Sequence, residues 1–318
     1  MKVTNLTVTV IAKQFNGAGN VLLTLASASE HPLPTFTPGA HIDVVIPGGG
    51  KRQYSLCSAA ENAGRYEICV RLDPLSSGGS RWLHQHVKSG DSLEISPPRN
   101  HFPLTYAPRT LLFAAGIGLT PLLVMAEALA ARQADFTLHL YLKRSDELAF
   151  SARLAGLGAR VVMHYSSEGD SLRQRVPDDL TQPHNSALVA CGPAGFMDHL
   201  QQLALQQGWN ADQWHSERFK PAATTQTHAR DIFEVEIASS GARYAIGAQQ
   251  TIAQVLEDAG IELPLSCEQG MCGSCITGVL AGEPDHRDDV LSQQERAAND
   301  CIVLCCSRAR SSLLVLDL

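Results

Sequence analysis

The stretch CEQGMCGSC, residues 267–275, places three cysteines within nine residues at the spacing C-x4-C-x2-C. With that spacing a plant-type [2Fe–2S] cluster takes three thiolates from one loop and a fourth from farther along the chain. A loop that wraps an anionic cluster needs small residues and accessible backbone N–H groups, and Gly270, Gly273 and Ser274 supply both. The rival occupant is zinc, which four thiolates also hold. Zinc sites usually pair their cysteines as two short C-x2-C clips, and only one such clip is present. The expected ligands in the loop are Cys267, Cys272 and Cys275, with the fourth to come from CIVLCCSRA, where Cys301, Cys305 and Cys306 are candidates.

Composition bounds the rest of the chain. Of its 318 residues 44% are hydrophobic and 18% charged, ordinary for a globular protein with room for two or three cores. A formal charge of −7 leaves no basic excess to meet nucleic-acid phosphates. The nine cysteines are odd in number and unevenly placed, so a reducing, cytoplasmic setting with a metal site fits better than a disulfide framework. The opening MKVTNLTVTVIAKQF alternates polar and apolar residues and lacks the apolar run of a signal peptide. LLFAAGIGLTPLLVMAEALAA, residues 111–131, contains Gly116, Gly118, Pro121 and Glu127, and reads as strand, turn and helix instead of a membrane span.

Three regions follow from the patterning. Over 1–103, LTVTVIA, VLLTLAS, HIDVVIP, RQYSLCS, YEICVRL and DSLEISP predict six short strands, hence an antiparallel β-barrel, with one short helix at SRWLHQHV. Over 104–222, strands TLLFAAG, FTLHLYL, ARVVMHY and SALVACG alternate with helices TPLLVMAEALAARQ, DELAFSARLAGL and GFMDHLQQLALQQ, predicting an α/β doubly wound parallel sheet. KPAATTQTHAR lacks an apolar period, and a linker is drawn at 223–230. Over 231–318, a hairpin, the helix TIAQVLEDAG, the cysteine loop and the strands CITGVLAG and SLLVLDL make a small α+β domain.

Two of these regions carry phosphate-suited segments. In RQYSL, Arg52 can fork onto a phosphate and Tyr54 offers a flat face and a hydroxyl beside a ring system, with Ser55 alongside. Downstream, Gly78, Gly79 and Ser80 present backbone N–H groups where the short helix begins. AAGIGLTP lies between a strand and a helix, where a nucleotide pyrophosphate rests; Gly116 and Gly118 permit close approach, and Thr120 and Pro121 open the helix. Pro121 stands where G-x-G-x-x-G has its third glycine, which counts against the usual dehydrogenase fold. In LKRSDE, Asp146 or Glu147 could accept from a ribose hydroxyl and Lys143 and Arg144 could bind a 2′-phosphate, so the residues leave NADH and NADPH open.

R-x-Y-S, G-x-G-x-T-P and the late CGP, in this order, resemble the ferredoxin–NADP reductase superfamily. With CEQGMCGSC, PDHRDDVLS and CCSRA added, the whole chain resembles the phthalate dioxygenase reductase and vanillate O-demethylase reductase family, the class IA oxygenase reductases. That resemblance implies a C-terminal β-grasp ferredoxin domain, FMN as the flavin, NADH as the electron donor, and a Rieske-type non-haem iron oxygenase as the partner. It further implies that Gln53, Val70 and Arg71 contact the flavin, that Cys191, Gly192 and Pro193 lie by the nicotinamide, and that Phe219 covers the flavin ring. The family commonly leaves 29 residues between the third and fourth cluster ligands, which from Cys275 selects Cys305. A flavin accepts a hydride pair and releases single electrons, so it fits between nicotinamide and cluster. No acid–base or nucleophilic group is required, and His84, His86, His286 and Arg287 read as structural. A free-standing NAD(P)H:acceptor reductase for quinone or ferric iron would leave CEQGMCGSC without a purpose, and a redox sensor would need an output module that is not seen.

Overall fold

The computed structural model describes residues 5–47, 50–58, 64–74, 78–183, 185–219, 232–265, 270, 273–288 and 290–318. Cys267, Cys272 and the 223–230 linker lie outside them. Two compact units divide the chain, Met1–Phe219 and Lys220–Leu318.

The first unit begins with β1 (Leu6–Phe15), β2 (Asn20–Ser27), β3 (His41–Val45), β4 (Lys51–Ser55), β5 (Arg65–Arg71), helix α1 (Gly79–Gln85) and β6 (Ser92–Ile95). The strands form one antiparallel sheet in the order β4-β3-β6-β1-β2-β5. A bridge from Leu56, just past β4, to Ile68 of β5 joins the two ends into the expected barrel. Period-two alternation sends Val8, Val10, Leu23, Leu25, Ile42, Val44 and Ile68 inward, where all are buried.

Next come β7 (Arg109–Ala115), α2 (Leu119–Ala131), β8 (Asp135–Leu142), α3 (Ser151–Leu157), β9 (Val161–Tyr165), β10 (Ser186–Gly192), α4 (Ala194–Gln206) and β11 (Trp214–Arg218). The sheet is parallel throughout, ordered β11-β10-β7-β8-β9. β7 and β10 read as continuous apolar runs because helices cover both faces. The strand order reverses between β7 and β10, the switch point at which such sheets bind ligands. β11 was not expected: WHSER is polar and half-buried, as an edge strand can be, and hides no apolar alternation. The DELAFSARLAGL helix is shorter than expected, a single 3-10 turn at Ser145–Glu147 and then α3.

Barrel and sheet share a core in which Cys57, Cys69 and Phe102 pack with Leu112, Leu122 and Met125. Arg153 ties the seam. It donates to the Cys57 carbonyl at 2.5 Å and pairs with Glu127 at 2.5 Å.

The second unit contains β12 (Phe233–Ile237), β13 (Arg243–Ile246), α5 (Ile252–Asp258), β14 (Ile276–Ala281), β15 (Pro284–Asp285), α6 (Gln293–Ala298), β16 (Cys301–Val303), β17 (Arg308–Ala309) and β18 (Leu313–Leu316). Its main sheet runs β13-β12-β18-β14-β16, with β12 and β18 parallel and the other pairs antiparallel. Ile252, Ala253 and Leu256 of α5 join its core, an α+β packing as expected. Thr251 caps α5 by accepting from the Gln254 N–H. Among the described residues no helix is long and apolar enough to cross a membrane.

Candidate functional site

The described residues expected from sequence fall into three separate sets, two in the first unit and one in the second. The first is on the barrel. Arg52, Gln53, Tyr54 and Ser55 share β4, and the stem of Arg52 runs over Gly79, where an added Cβ would lie 2.7 Å from its Cγ. Only glycine lets that stem reach the start of α1, so a guanidinium fork and the Gly78–Ser80 backbone meet at one spot. A phosphate group suits that pairing of cation and N–H donors. Gln53 Nε2 lies 3.1 Å from His41 Nε2, Ser55 is buried, and burial raises the half-buried Tyr54 phenol well above its ordinary range. Val70 is buried in β5, with its carbonyl 2.9 Å from His84 Nε2. His84 is thereby a structural partner of the strand.

The second set surrounds the switch point. Ala115 ends β7, and Gly116 takes φ +56° to turn the chain into α2. Arg71, at the end of barrel strand β5, points its Nη1 to within 3.3 Å of where a Gly116 Cβ would be, so the end of that strand and the turn into α2 lie side by side. Gly118 packs against the end of β10 so closely that an added Cβ would lie 2.1 Å from the Cys191 carbonyl oxygen and 2.8 Å from the Gly192 nitrogen. Thr120 donates to the Ile117 carbonyl at 3.0 Å, and Thr120 and Pro121 are buried in the first turn of α2. Pro193 precedes α4 in extended conformation. Cys191 is buried and its thiol is pushed up by burial and by Glu217. Phe219, after β11, is 36% exposed. Asp146 lies on an exposed turn after β8 and forms a two-point pair with Arg144, at 2.9 and 2.8 Å.

One residue here was missed. Glu217 sits on β11 directly opposite Cys191, with Oε2 shut off from solvent and without a hydrogen-bond partner, and burial raises its carboxyl to about 8. Its only signal in the sequence is a carboxylate two residues before Phe219.

The third set belongs to the second unit. Cys275 and Cys305 are both buried, and the Gly270 backbone N–H donates to Cys305 Sγ at 3.2 Å. A thiolate accepting a backbone N–H fits an anionic iron–sulfur cluster. Gly270 holds φ +76°, and its Cα face lies against Cys306 Sγ, which an added Cβ would meet at 2.4 Å. Cys301 stands at the start of β16, half-buried. His286 Nε2 lies 3.1 Å from Asn299 Oδ1, and Arg287 bonds Asp285 at 2.8 Å, so both brace the loop.

Comparison with known proteins agrees with this geometry. Residues 235–310 match the family described as 2Fe-2S iron-sulfur cluster binding domain. The vanillate O-demethylase oxidoreductase of a Pseudomonas species is 45% identical over 291 residues, covering 90% of this chain and 91% of that protein. The crystal structure of phthalate dioxygenase reductase, titled as a modular structure for electron transfer from pyridine nucleotides to [2Fe–2S], superposes with TM-score 0.73 at 34% identity over 99% of this chain and 98% of the other. An intact type IV self-sufficient cytochrome P450 monooxygenase gives TM-score 0.86 at 34% identity over 99% of this chain, which spans only 41% of that protein. The chain belongs to the vanillate O-demethylase and phthalate dioxygenase reductase family, NADH-dependent oxidoreductases built around FMN and a plant-type [2Fe–2S] cluster.

Proposed function

We propose that this protein is the reductase component of a two-component, cytoplasmic oxygenase system whose terminal oxygenase is a Rieske-type non-haem iron enzyme. The observation that carries the reading is the meeting of Arg71 with Gly116, which brings the end of the barrel to the sheet's switch point and supports a flavin and a nucleotide meeting there. The flavin, when bound, takes up a hydride pair and gives out single electrons, which a [2Fe–2S] cluster accepts one at a time.

The chain's own residues bind and orient. Arg52, with Gly78, Gly79 and Ser80, holds the flavin phosphate, Gln53, Tyr54, Ser55 and Arg71 line its ring and side chain, and the buried Val70 backs them from the barrel core. Gly116, Gly118, Thr120 and Pro121 admit the pyrophosphate of NADH to the start of α2. Asp146 receives the ribose, and its pairing with Arg144 turns that guanidinium away from a 2′-phosphate role. Cys191, Gly192 and Pro193 form the wall for the nicotinamide, and Phe219 shields the flavin face until nicotinamide arrives. Cys267, Cys272, Cys275 and Cys305 hold the cluster.

Charge supports delivery to another protein. Residues 231–318 carry 14 Asp and Glu against 5 Lys and Arg, whereas residues 1–230 are nearly balanced at 18 against 20. An acidic cluster-bearing unit suits a basic acceptor face. The test is anaerobic titration with NADH, followed by mixing with purified oxygenases. Flavin and iron–sulfur absorbance that bleach together and recover on adding a Rieske oxygenase support the proposal. Recovery with a haem oxygenase alone refutes the Rieske assignment, and flavin bands in an iron-free, zinc-containing protein refute the electron path.

A further inference from the structure

The Asp288 side chain is wholly buried in the second unit, yet no step of electron transfer uses it. Its Oδ2 accepts the N–H of Leu291 at 2.8 Å and of Val290 at 3.2 Å. Its Oδ1 accepts from Ser307 Oγ at 3.4 Å, and Ser307 Oγ in turn accepts the Arg287 N–H at 3.1 Å. Arg296 stands 3.6 Å from Oδ2, donates to the Asp288 carbonyl and reaches the Leu291 carbonyl at 3.1 Å. Ser307 lies two residues after Cys305, so this network ties the turn to the segment that carries the expected fourth ligand.

Behind Asp288 stands Gly270. The Asp288 Cα lies 3.2 Å from where a Gly270 Cβ would be, and Cys306 Sγ lies at 2.4 Å from the same point. Gly270 is thus backed by Asp288 and Cys306 on one side while its N–H points to Cys305 Sγ on the other. A buried carboxylate with this many donors is held in place, and so is whatever rests against it.

We propose that Asp288, acting through Ser307 and the Gly270 backbone, is a positioning residue that fixes the N–H···S bond to Cys305 and thereby sets the reduction potential of the cluster. The inference rests on Cys305 being a ligand. Hydrogen bonds to the sulfurs stabilise the reduced, more negative cluster, so loosening this one lowers the potential.

The test uses the full-length holoprotein, with the cluster's midpoint potential and the electron paramagnetic resonance g values of its reduced form as readouts. Asp288→Ala and Ser307→Ala are each expected to shift the cluster's reduction equilibrium about tenfold toward the oxidised form, 59 mV for a one-electron couple. The g values should move as well. Asp288→Asn keeps an oxygen for the Leu291 and Val290 N–H groups and should recover most of the shift. Potentials and g values that match wild type in both alanine variants overturn the proposal. If Asp288→Ala does not fold, Ser307→Ala, which removes one hydroxyl, decides alone. Wild-type protein purified without iron refutes the cluster reading and this inference with it, whereas iron-replete variants with unchanged potential refute only the inference.

Discussion

Replacing Gly118 by alanine tests the proposed nucleotide site most directly. The added methyl would lie 2.1 Å from the Cys191 carbonyl oxygen, and ordinary contact begins near 3.4 Å, so something must give by about 1.3 Å. β10 cannot yield easily, because it is hydrogen-bonded to β7 on one side and β11 on the other. The first turn of α2 cannot swing out without uncovering Leu119, Leu122 and Leu123, all buried. The displacement therefore falls on the turn proposed to receive NADH and on the neighbouring Cys191–Pro193 segment. Overpacking of this kind costs about 1–3 kcal/mol in stability. A shift near 1 Å in a reacting geometry costs about 100-fold in rate, or about 2.7 kcal/mol of barrier. The assay is stopped-flow reduction of the flavin by NADH without oxygen, with flavin and iron content measured first. We expect Gly118→Ala to keep both cofactors and to lose about 100-fold in kcat/KM for NADH. Gly156→Ala is the control: it sits on the exposed face of α3 with nothing within 4 Å of an added Cβ, and should leave the rate alone while adding about 0.5–1 kcal/mol of stability. A Gly118→Ala protein that reduces its flavin at the wild-type rate and KM would refute the placement of the nucleotide.

Four further outcomes are expected. Cys305→Ser should purify with its iron content at least halved, while Cys306→Ser keeps its iron; the reverse result would transfer the ligand role to Cys306. Arg52→Ala removes the proposed charge-assisted phosphate contact, worth about 1.5–3 kcal/mol, so fluorescence titration should show FMN binding at least tenfold weaker. Burial raises Glu217 to about 8 from an ordinary 4.5, so its contribution to stability is whole below about 4.5 and is lost as pH climbs toward 8. Melting curves of Glu217→Gln should lack that decline, and identical pH profiles for the two proteins would contradict it. Raising the salt from 50 to 500 mM should slow electron delivery to the oxygenase several-fold while leaving NADH oxidation by a small acceptor unchanged, roughly as screening of exposed charges requires.

Local chemistry was readable from the sequence wherever spacing along the chain decides it. The C-x4-C-x2-C loop, the period-two strands of the barrel and the strand-turn-helix at AAGIGLTP are all contiguous patterns. Strand β11 escaped because an edge strand half-exposed to solvent has no need of apolar alternation, and WHSER has none. The two-residue strands β15 and β17 and the polar helix α6, whose sequence is QQERAA, are too short or too hydrophilic to show a period. At the site, the sequence supplied Gly118 and Cys191 as separate motifs more than seventy residues apart. Their contact comes from the pairing of β7 with β10, which no local pattern encodes. Glu217 and Asp288 were passed over for a related reason: a charged residue in sequence suggests a solvated surface, and only packing reveals burial.

The order of strands in the second unit bears on how the protein is made. β18 is the last of its five strands to be synthesised, yet it occupies the middle of the sheet, between β12 and β14. While a ribosome is still extending the chain, the first unit already has every strand of both its sheets and can fold. The second unit at that moment has two hairpin strands without a centre and a cysteine loop without a finished scaffold. Its sheet can close only after Leu316 has emerged, later than Cys305. Closure of this sheet is therefore the last step in folding the chain, after a first unit that already has every strand of both its sheets.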